Sequence, residues 1–290
     1  MFTDRSPQRP LPAVPPGAPG RHYAAGSPNA TRSGVRDVLR ACLLPGRWTW
    51  LLLATSLGLA VLSVGFQALR LLGGVTGLQG VETLVDVDRE AGIPAWFSTL
   101  LLAAAAAQLW AVASAARAGG SPWHRHWRVL SLVFGFLSAD ELTSMHERLT
   151  SPVRSALHLS GALRFSWIVV AVPVVLVGGL LFLRFLRALP AASRWAFVLA
   201  GLVYVAGAVG MELVGGIVVD AVGVPTTTTT TRVVEGRPAE TTTTQWPTVD
   251  SVRYAGTAAV EETLEMVGSV LFLGAVTVCA RRERAAVRLP

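Results

Sequence analysis

The sequence predicts an all-α fold, a polytopic bundle of six transmembrane helices with the N and C termini in the cytoplasm. Of its 290 residues, 52% are hydrophobic and only 15% are charged, which is too apolar for an ordinary soluble domain. Several stretches of about 20 residues contain almost no charge, and an α-helix of that length crosses a bilayer. Because the sequence lacks a long alternating pattern of β type, these stretches are predicted to be helices.

The crossing segments are predicted in chain order, with soluble tails on either side. The six spans are residues 48–71, 95–117, 127–148, 165–187, 195–220 and 254–279. Residues 1–46 are basic and Pro-rich without an apolar period, so we expect a disordered tail. The membrane domain then occupies 47–280 and includes a Thr-rich extracytoplasmic loop at 221–253, which we expect to be a flexible tether. Residues 281–290 form a second basic tail.

Arginine residues determine the predicted orientation. They concentrate in the leading tail, in the second-to-third and fourth-to-fifth connections and at the chain end, whereas the other connections are acidic or neutral. The positive-inside rule places the arginine-bearing segments, and thus both termini, in the cytoplasm. The net charge of +7 is explained by this topology, so no nucleic-acid partner is expected. All 25 basic residues are arginine, which indicates a GC-rich genome and a bacterial plasma membrane.

Three of the predicted spans carry acids at membrane depth. A charge near the bilayer centre costs about 3 kcal/mol on insertion scales, and such residues usually mark a functional site. Counted inward from the outer ends of their spans, Asp140, Glu212 and Glu261 all lie roughly 10–13 Å below the outer surface at about 1.5 Å per residue. Three separate helices are therefore predicted to bring carboxyl groups to one level.

These acids are predicted to bind a divalent metal ion. The predicted ligands are Asp140, Glu147, Glu212, Glu261 and Glu265, with His146 and Glu141 as second choices. Carboxylate oxygens with one imidazole suit Fe, Mn, Mg, Ca or Zn, and carboxylates on facing helices hold metals in other helical bundles. Small residues around this level are predicted to let the helices pack closely: Gly210, Gly215, Gly216, Gly256 and Gly268.

Basic residues near the acids are too few to neutralise them. Arg70 is the nearest counter-ion along the predicted topology, with Arg164 and Arg253 at outer boundaries. Either several carboxyl groups hold protons, because burial and mutual repulsion disfavour their charged form, or a cation binds among them.

Three functional hypotheses follow from the acid cluster. The leading one is a metal-dependent enzyme that takes a lipid or other amphipathic substrate from the extracytoplasmic side. In a hydrolytic version Glu262 is the catalytic base, and in an oxidative version paired iron activates oxygen. The alternative is a proton- or cation-coupled transporter or channel that uses the same acids. The third is a structural membrane subunit whose acids fix helix packing. Membrane lipid is an expected partner in each case, and the sequence leaves the oligomeric state open.

Overall fold

The computed structural model describes residues 46–75, 77, 79–89, 92–222, 226–234, 237–245 and 252–288. The predicted tail 1–46 lies outside the described residues except for Gly46. The helices are α1 (Arg47–Leu71), α2 (Gln79–Val85), α3 (Ile93–Ala118), α4 (His124–Thr143), α5 (Met145–Leu157), α6 (Ile168–Ala188), α7 (Ala191–Val205), α8 (Glu212–Val222) and α9 (Val252–Arg288). A 3-10 turn, Gly161–Leu163, precedes α6, and a π-helical segment, Ala206–Met211, joins α7 to α8.

Five helical segments in the described part of the chain are long and apolar enough to cross a membrane. They are α1, α3, α6, the continuous run through α7 and α8, and α9 as far as Arg281. These segments agree with five of the six spans that the sequence predicts. The bundle is all-helical, which confirms the predicted all-α class.

The third predicted span, 127–148, is wrong as a single continuous helix. Helix α4 stops at Thr143, and Ser144 adopts a left-handed conformation with φ of 50°. A separate helix, α5, begins at Met145 and carries apolar and polar residues on opposite faces. Four charged residues lie within the 20 residues of α4, so it is more polar than the five membrane-length segments: Arg125, Arg128, Asp140 and Glu141.

Helix α9 is the centre of the bundle. It packs against α1, α3, α7, the π-helical segment and α8. The largest apolar cluster joins α3, α4, α6, α7 and α9, with Leu109, Trp127, Phe185 and Val276 among its fully buried members. This cluster lies at the end of the bundle where α3 and α6 finish and α4 and α7 begin. We call that end of the bundle the arginine-rich end, because it carries Arg47, Arg117, Arg125, Arg187, Arg194 and Arg281.

Helices α3 and α4 form a close antiparallel pair. The Ser131 hydroxyl donates to the Ala106 carbonyl at 2.8 Å, and the Ser138 hydroxyl donates to the Thr99 carbonyl at 2.9 Å. The two bonds lie seven residues apart on each helix, so the same faces stay in contact over two turns. Small residues at such positions let helix backbones approach. Helix α4 is thus held alongside a membrane-length helix.

The last two predicted non-membrane segments have regular structure. Strand β1 (Thr226–Val234) pairs antiparallel with β2 (Arg237–Gln245), with Thr226 opposite Gln245. Helix α9 continues through the predicted tail 281–290 as far as Arg288. Alanine and arginine are among the best helix formers, so the apolar helix extends into this basic segment without interruption.

Helices α4 and α6 stand apart, and the gap between them positions the site. Helix α4 packs mainly on α3, whereas α6 touches α7 and the π-helical segment. Aromatic rings close the gap at the arginine-rich end, where the ring centroid of Phe185 lies 4.7 Å from that of Trp127 and 5.4 Å from that of His126. The gap is therefore a cavity that is closed at the arginine-rich end.

Candidate functional site

A cavity of about 1120 Å³ opens between α4 and α6, with α7, the π-helical segment and α9 as its floor. All eight residues that the sequence singles out line it: Asp140, Glu141, His146, Glu147, Glu212, Glu261, Glu262 and Glu265. They occupy the end of the cavity opposite the aromatic rings, which we call the acid end. The acids that the sequence places in three spans lie on four helices of the structure, α4, α5, α8 and α9, and face one common space.

Asp140 and His146 form a pair across the break at Ser144. The left-handed residue turns the chain so that the first turn of α5 comes back over the end of α4. His146 Nδ1 lies 2.8 Å from Asp140 Oδ2, and the His146 backbone N–H donates to Asp140 Oδ1 at 2.9 Å. The Asp140 carboxylate thereby caps the N-terminus of α5 as well as holding the imidazole ring.

The carboxylate of Asp140 determines the charge of His146. Burial disfavours the charged imidazole, but the hydrogen bond that His146 donates to Asp140 and the negative charge of Asp140 outweigh that effect, so the pKa of His146 is raised to about 9. At neutral pH the two side chains are therefore an ion pair.

This ion pair predicts a pH-dependent stability. The raised pKa means that the pair stabilises the fold fully below pH 6.5, the ordinary pKa of histidine, and that this contribution is lost as pH rises through about 9. We expect the melting temperature of the detergent-purified protein to fall over that window. In His146→Gln, which cannot titrate, the fall should be smaller. An equal fall in melting temperature in the wild type and in His146→Gln would show that groups other than His146 cause the pH dependence.

Glu212 is the centre of a second set of contacts. It is the first residue of α8, directly after the π-helical segment, and such segments often occur at functional sites. Trp167 Nε1 donates to Glu212 Oε1 at 3.0 Å, and the carboxyl groups of Glu212 and of Glu261 in α9 lie close together. The Trp167 ring also packs edge-on against His146, with centroids 4.8 Å apart.

A third set of contacts lies one helical turn deeper. The Tyr204 hydroxyl of α7 and the Glu265 carboxyl of α9 are joined by a hydrogen bond. Glu262 and Glu141 lie close enough to Glu265 for like charges to repel. This part of the cavity therefore concentrates carboxyl groups from α4 and α9 around one tyrosine.

Two glycines let the helices that carry these groups approach closely. A Cβ on Gly207 would lie 2.8 Å from the Glu261 carbonyl oxygen, and one on Gly268 would lie 2.7 Å from the Tyr204 backbone nitrogen. The sequence predicts this role for Gly268 but misses Gly207. It is wrong for Gly210 and Gly256, where a Cβ would meet nothing within 4 Å because both face open space.

The other predicted packing glycines differ from each other. A Cβ on Gly216 would lie 2.8 Å from the carbonyl oxygen of Gly161, so α8 packs tightly on the 3-10 turn, as the prediction requires. A Cβ on Gly215 would make only ordinary contacts, the nearest at 3.5 Å with the Phe165 ring. Close approach is therefore a property of three glycines around the site, those at 207, 216 and 268.

The connection between α2 and α3 contributes two residues that the sequence interpretation did not assign to the site. Asp88 and Arg89 line the acid end. Polar side chains of α1 hold this connection in place: Gln67 Nε2 donates to Asp86 Oδ1 at 2.7 Å, and Ser63 Oγ accepts from the Val87 N–H at 3.1 Å. A loop carries no periodic signal, so its position could be seen only in the folded chain.

The surroundings of Asp88 perturb its carboxyl group. Burial among protein atoms, together with the neighbouring Asp86 carboxylate, raises the pKa of Asp88 to about 7. The Tyr254 hydroxyl lies 3.4 Å from Asp88 Oδ1. Asp88 is therefore partly protonated near neutral pH.

Two of the arginines considered as counter-ions pair with other acids. Arg70 Nε lies 2.5 Å from Glu82 Oε1, and Arg164 Nη1 lies 3.3 Å from Asp220 Oδ1. Arg89 is the one arginine among the described residues that line the cavity. The carboxyl groups of the acid end thus outnumber the cationic side chains that face the same space.

The predicted ligand set is brought together, but not in the geometry of a metal site. Within the described residues, no group of three or more His, Cys, Asp or Glu side chains is arranged to hold a metal ion. Several of the acids are hydrogen-bonded to other side chains instead: Asp140 to His146, Glu212 to Trp167, and Glu265 to Tyr204. Their role as metal ligands stays a prediction.

Comparison with known proteins identifies a family without assigning an activity. No curated protein and no solved structure matches the chain. A family described as Domain of unknown function (DUF8692) matches residues 51–280, a range that contains the acid end and runs from α1 into α9. The chain therefore belongs to the DUF8692 family.

Proposed function

We propose that this protein is an integral membrane protein that binds an amphiphile, with the apolar tail between α4 and α6 and a positively charged head group among the carboxyl groups. The observation that carries this proposal is that one cavity is acidic at one end and apolar along the rest of its length. Pockets for small molecules are commonly apolar with a few polar groups that fix orientation.

The apolar part of the cavity suits a hydrocarbon chain. Facing residues of α4 and α6 line it, including Val133, Phe136, Val174 and Val175. Phe136 is 58% exposed and Val174 is 65% exposed, so a tail would contact side chains that the protein itself leaves uncovered. Lipid tails are about as apolar as these side chains, so moving a tail from bilayer to cavity changes the free energy little. Selectivity must therefore come from the head group.

Charge at the acid end favours a cationic head group. Carboxyl groups of α4, α5, α8, α9 and the α2–α3 connection face the same space, whereas Arg89 and His146 are its basic side chains among the described residues. An ammonium group placed there would offset part of the mutual repulsion of the acids. An anionic head group would add to that repulsion, because like charges brought together cost free energy.

The topology that accompanies this proposal has six crossings. Helix α4 joins the five membrane-length segments as the sixth because it is hydrogen-bonded along α3. The arginine-rich end faces the cytoplasm of a bacterial plasma membrane, and the acid end faces outward. A topology reporter placed between β1 and β2 should therefore register outside the cytoplasm, and a cytoplasmic signal would reverse the orientation.

The test uses two probes that share one alkyl tail and differ in the head group. We expect the protein in lipid nanodiscs to bind an alkyltrimethylammonium probe and to bind the matching alkylsulfonate at least about tenfold more weakly, a difference of about 1.4 kcal/mol. Glu212→Gln and Glu261→Gln should each weaken binding of the ammonium probe severalfold. Asp220→Asn serves as the matched control, because Asp220 pairs with Arg164 and does not line the cavity. Equal binding of both probes would contradict the proposal.

A metal-dependent enzyme is the second candidate, favoured by the excess of carboxyl groups in one cavity. A divalent ion would offset that charge, and Glu262 would then be the base that activates a bound water. The carboxyl groups of Asp140, Glu212 and Glu265 would have to leave their present partners to bind it. Elemental analysis of the purified protein decides this point: a stoichiometric metal that is lost in Asp140→Asn and Glu265→Gln would favour the enzyme.

The proposed transporter has less support. A coupled pathway would have to continue from the acid end to the arginine-rich end. There the rings of Phe185 and Phe197 both pack against Trp127, with centroids 4.7 and 5.9 Å from that of Trp127, and they close the cavity. This arrangement favours binding from the membrane over passage through the protein.

A further inference from the structure

A second, smaller cavity lies between α3 and α9 toward the arginine-rich end. Its volume is about 300 Å³, and its lining residues are Gln108, Ala111, Thr277, Ala280 and Arg281. It shares none of these residues with the large cavity. The acid end and this cavity therefore belong to different parts of the bundle.

A polar pair lies at the deep end of this cavity, within two otherwise apolar helices. The Thr277 hydroxyl lies 2.9 Å from Gln108 Oε1 and 2.7 Å from the Leu273 carbonyl oxygen. The Thr277 hydroxyl has a single proton to share between these two oxygens, and whichever oxygen takes it, at least one amide N–H of Gln108 remains as a donor toward the cavity that Gln108 lines. Polar side chains at membrane depth are costly and commonly mark a site.

Arg281 supplies a positive charge at the rim. It lies one helical turn beyond Thr277, is exposed, and is the last residue of the membrane-length part of α9. No acid lines this cavity in the part of the chain that the structure describes. A guanidinium group above an amide donor, with no carboxylate among the described lining residues, forms a site for an anion.

We infer that this cavity binds the phosphate head group of an anionic phospholipid. The guanidinium at the membrane-water boundary would meet the phosphate, and the Gln108 amide would reach the ester oxygens one to two turns deeper. The small side chains of Ala111 and Ala280 leave room for the glycerol group between them. Basic pockets between membrane helices commonly bind acidic lipid head groups, and the depth of Gln108 favours a lipid over free phosphate.

The test is native mass spectrometry of the full chain released from detergent after incubation with phosphatidylglycerol, phosphatidylcholine or inorganic phosphate. We expect phosphatidylglycerol to stay bound and the other two to be lost. Arg281→Gln should reduce the retained fraction at least about tenfold. Arg187→Gln is the matched control, because Arg187 lies in the last turn of α6 at the arginine-rich end and lines neither cavity. If Arg281→Gln and Arg187→Gln retained equal fractions of phosphatidylglycerol, the binding would depend only on the general surface charge, and the proposal would be overturned.

A second variant separates lipid binding from folding. Gln108→Glu keeps an oxygen acceptor for Thr277 and has nearly the same shape, but it replaces the amide donors with a negative group. We expect it to fold with an unchanged helical circular dichroism spectrum and to lose phosphatidylglycerol. Full retention of the lipid in Gln108→Glu, or retention of inorganic phosphate equal to that of the lipid, would contradict the inferred site.

Discussion

Gly268→Ala is expected to destabilise the protein by about 1–3 kcal/mol, the usual cost of overpacking a close contact. A Cβ at this position would lie 2.7 Å from the backbone nitrogen of Tyr204 and 2.8 Å from its Cα, so α7 would have to move away from α9. Backbone atoms cannot rotate aside as a flexible side chain does. We expect a lower melting temperature in detergent and, because Tyr204 bonds Glu265, weaker binding of the ammonium probe.

Gly256→Ala is the matched control for this substitution. Gly256 lies in the same helix, and a Cβ there would meet nothing within 4 Å. Alanine is favoured over glycine in a helix by about 1 kcal/mol, so this variant should keep or slightly raise the melting temperature. A similar loss of stability in both variants would show that close contact with α7 is not the reason.

Gly201→Leu is expected to abolish amphiphile binding while leaving the fold intact. Gly201 lies on the floor of the large cavity, and a Cβ there would meet nothing within 4 Å. The leucine side chain would therefore occupy the space assigned to the alkyl tail without pushing on a neighbouring helix. We expect at least about a tenfold loss of affinity for the ammonium probe, equivalent to about 1.4 kcal/mol, with an unchanged melting temperature.

Gly58→Leu controls for the added apolar bulk. Gly58 is in α1, and a Cβ there would likewise meet nothing within 4 Å, but it does not line the cavity. This variant should bind the probe as the wild type does. Undiminished binding in Gly201→Leu would mean that the tail lies somewhere else.

The membrane-length helices could be predicted from the sequence because their signal is local. A run of apolar residues about 20 long needs no knowledge of its neighbours to be recognised. The common depth of Asp140, Glu212 and Glu261 follows from the same count along each helix, and all three face one cavity in the folded chain. The depth of each acid along its predicted span therefore indicated which carboxyl groups could lie in one cavity.

The partners of these acids could not be predicted in the same way. The sequence interpretation treated 127–148 as one helix, which places His146 about 120° from Asp140 around the helix axis at about 100° per residue. The break at Ser144 instead brings the imidazole to 2.8 Å from the carboxylate. A left-handed serine has no strong sequence signal, since glycine and asparagine are the residues usually found in that conformation.

The π-helical segment and the α2–α3 connection show the same limitation. A π turn shifts the helical phase just before Glu212, and it is stabilised by the fit of Gly207 onto α9. Arg89 reaches the acid end because Ser63 and Gln67 of α1 hold the preceding residues. Both features depend on contacts between distant segments, which no periodicity in the sequence records.

Photo-crosslinking with an alkyltrimethylammonium probe that carries a diazirine next to its head group tests amphiphile binding most directly. After irradiation in nanodiscs, peptide mass spectrometry should locate the label on residues of α4, α5, α8 or α9 that line the acid end. An excess of the unlabelled ammonium compound should remove that label, and the sulfonate compound should not. Labels spread over the lipid-facing surface of α1, with no competition by the ammonium compound, would contradict a binding site between α4 and α6.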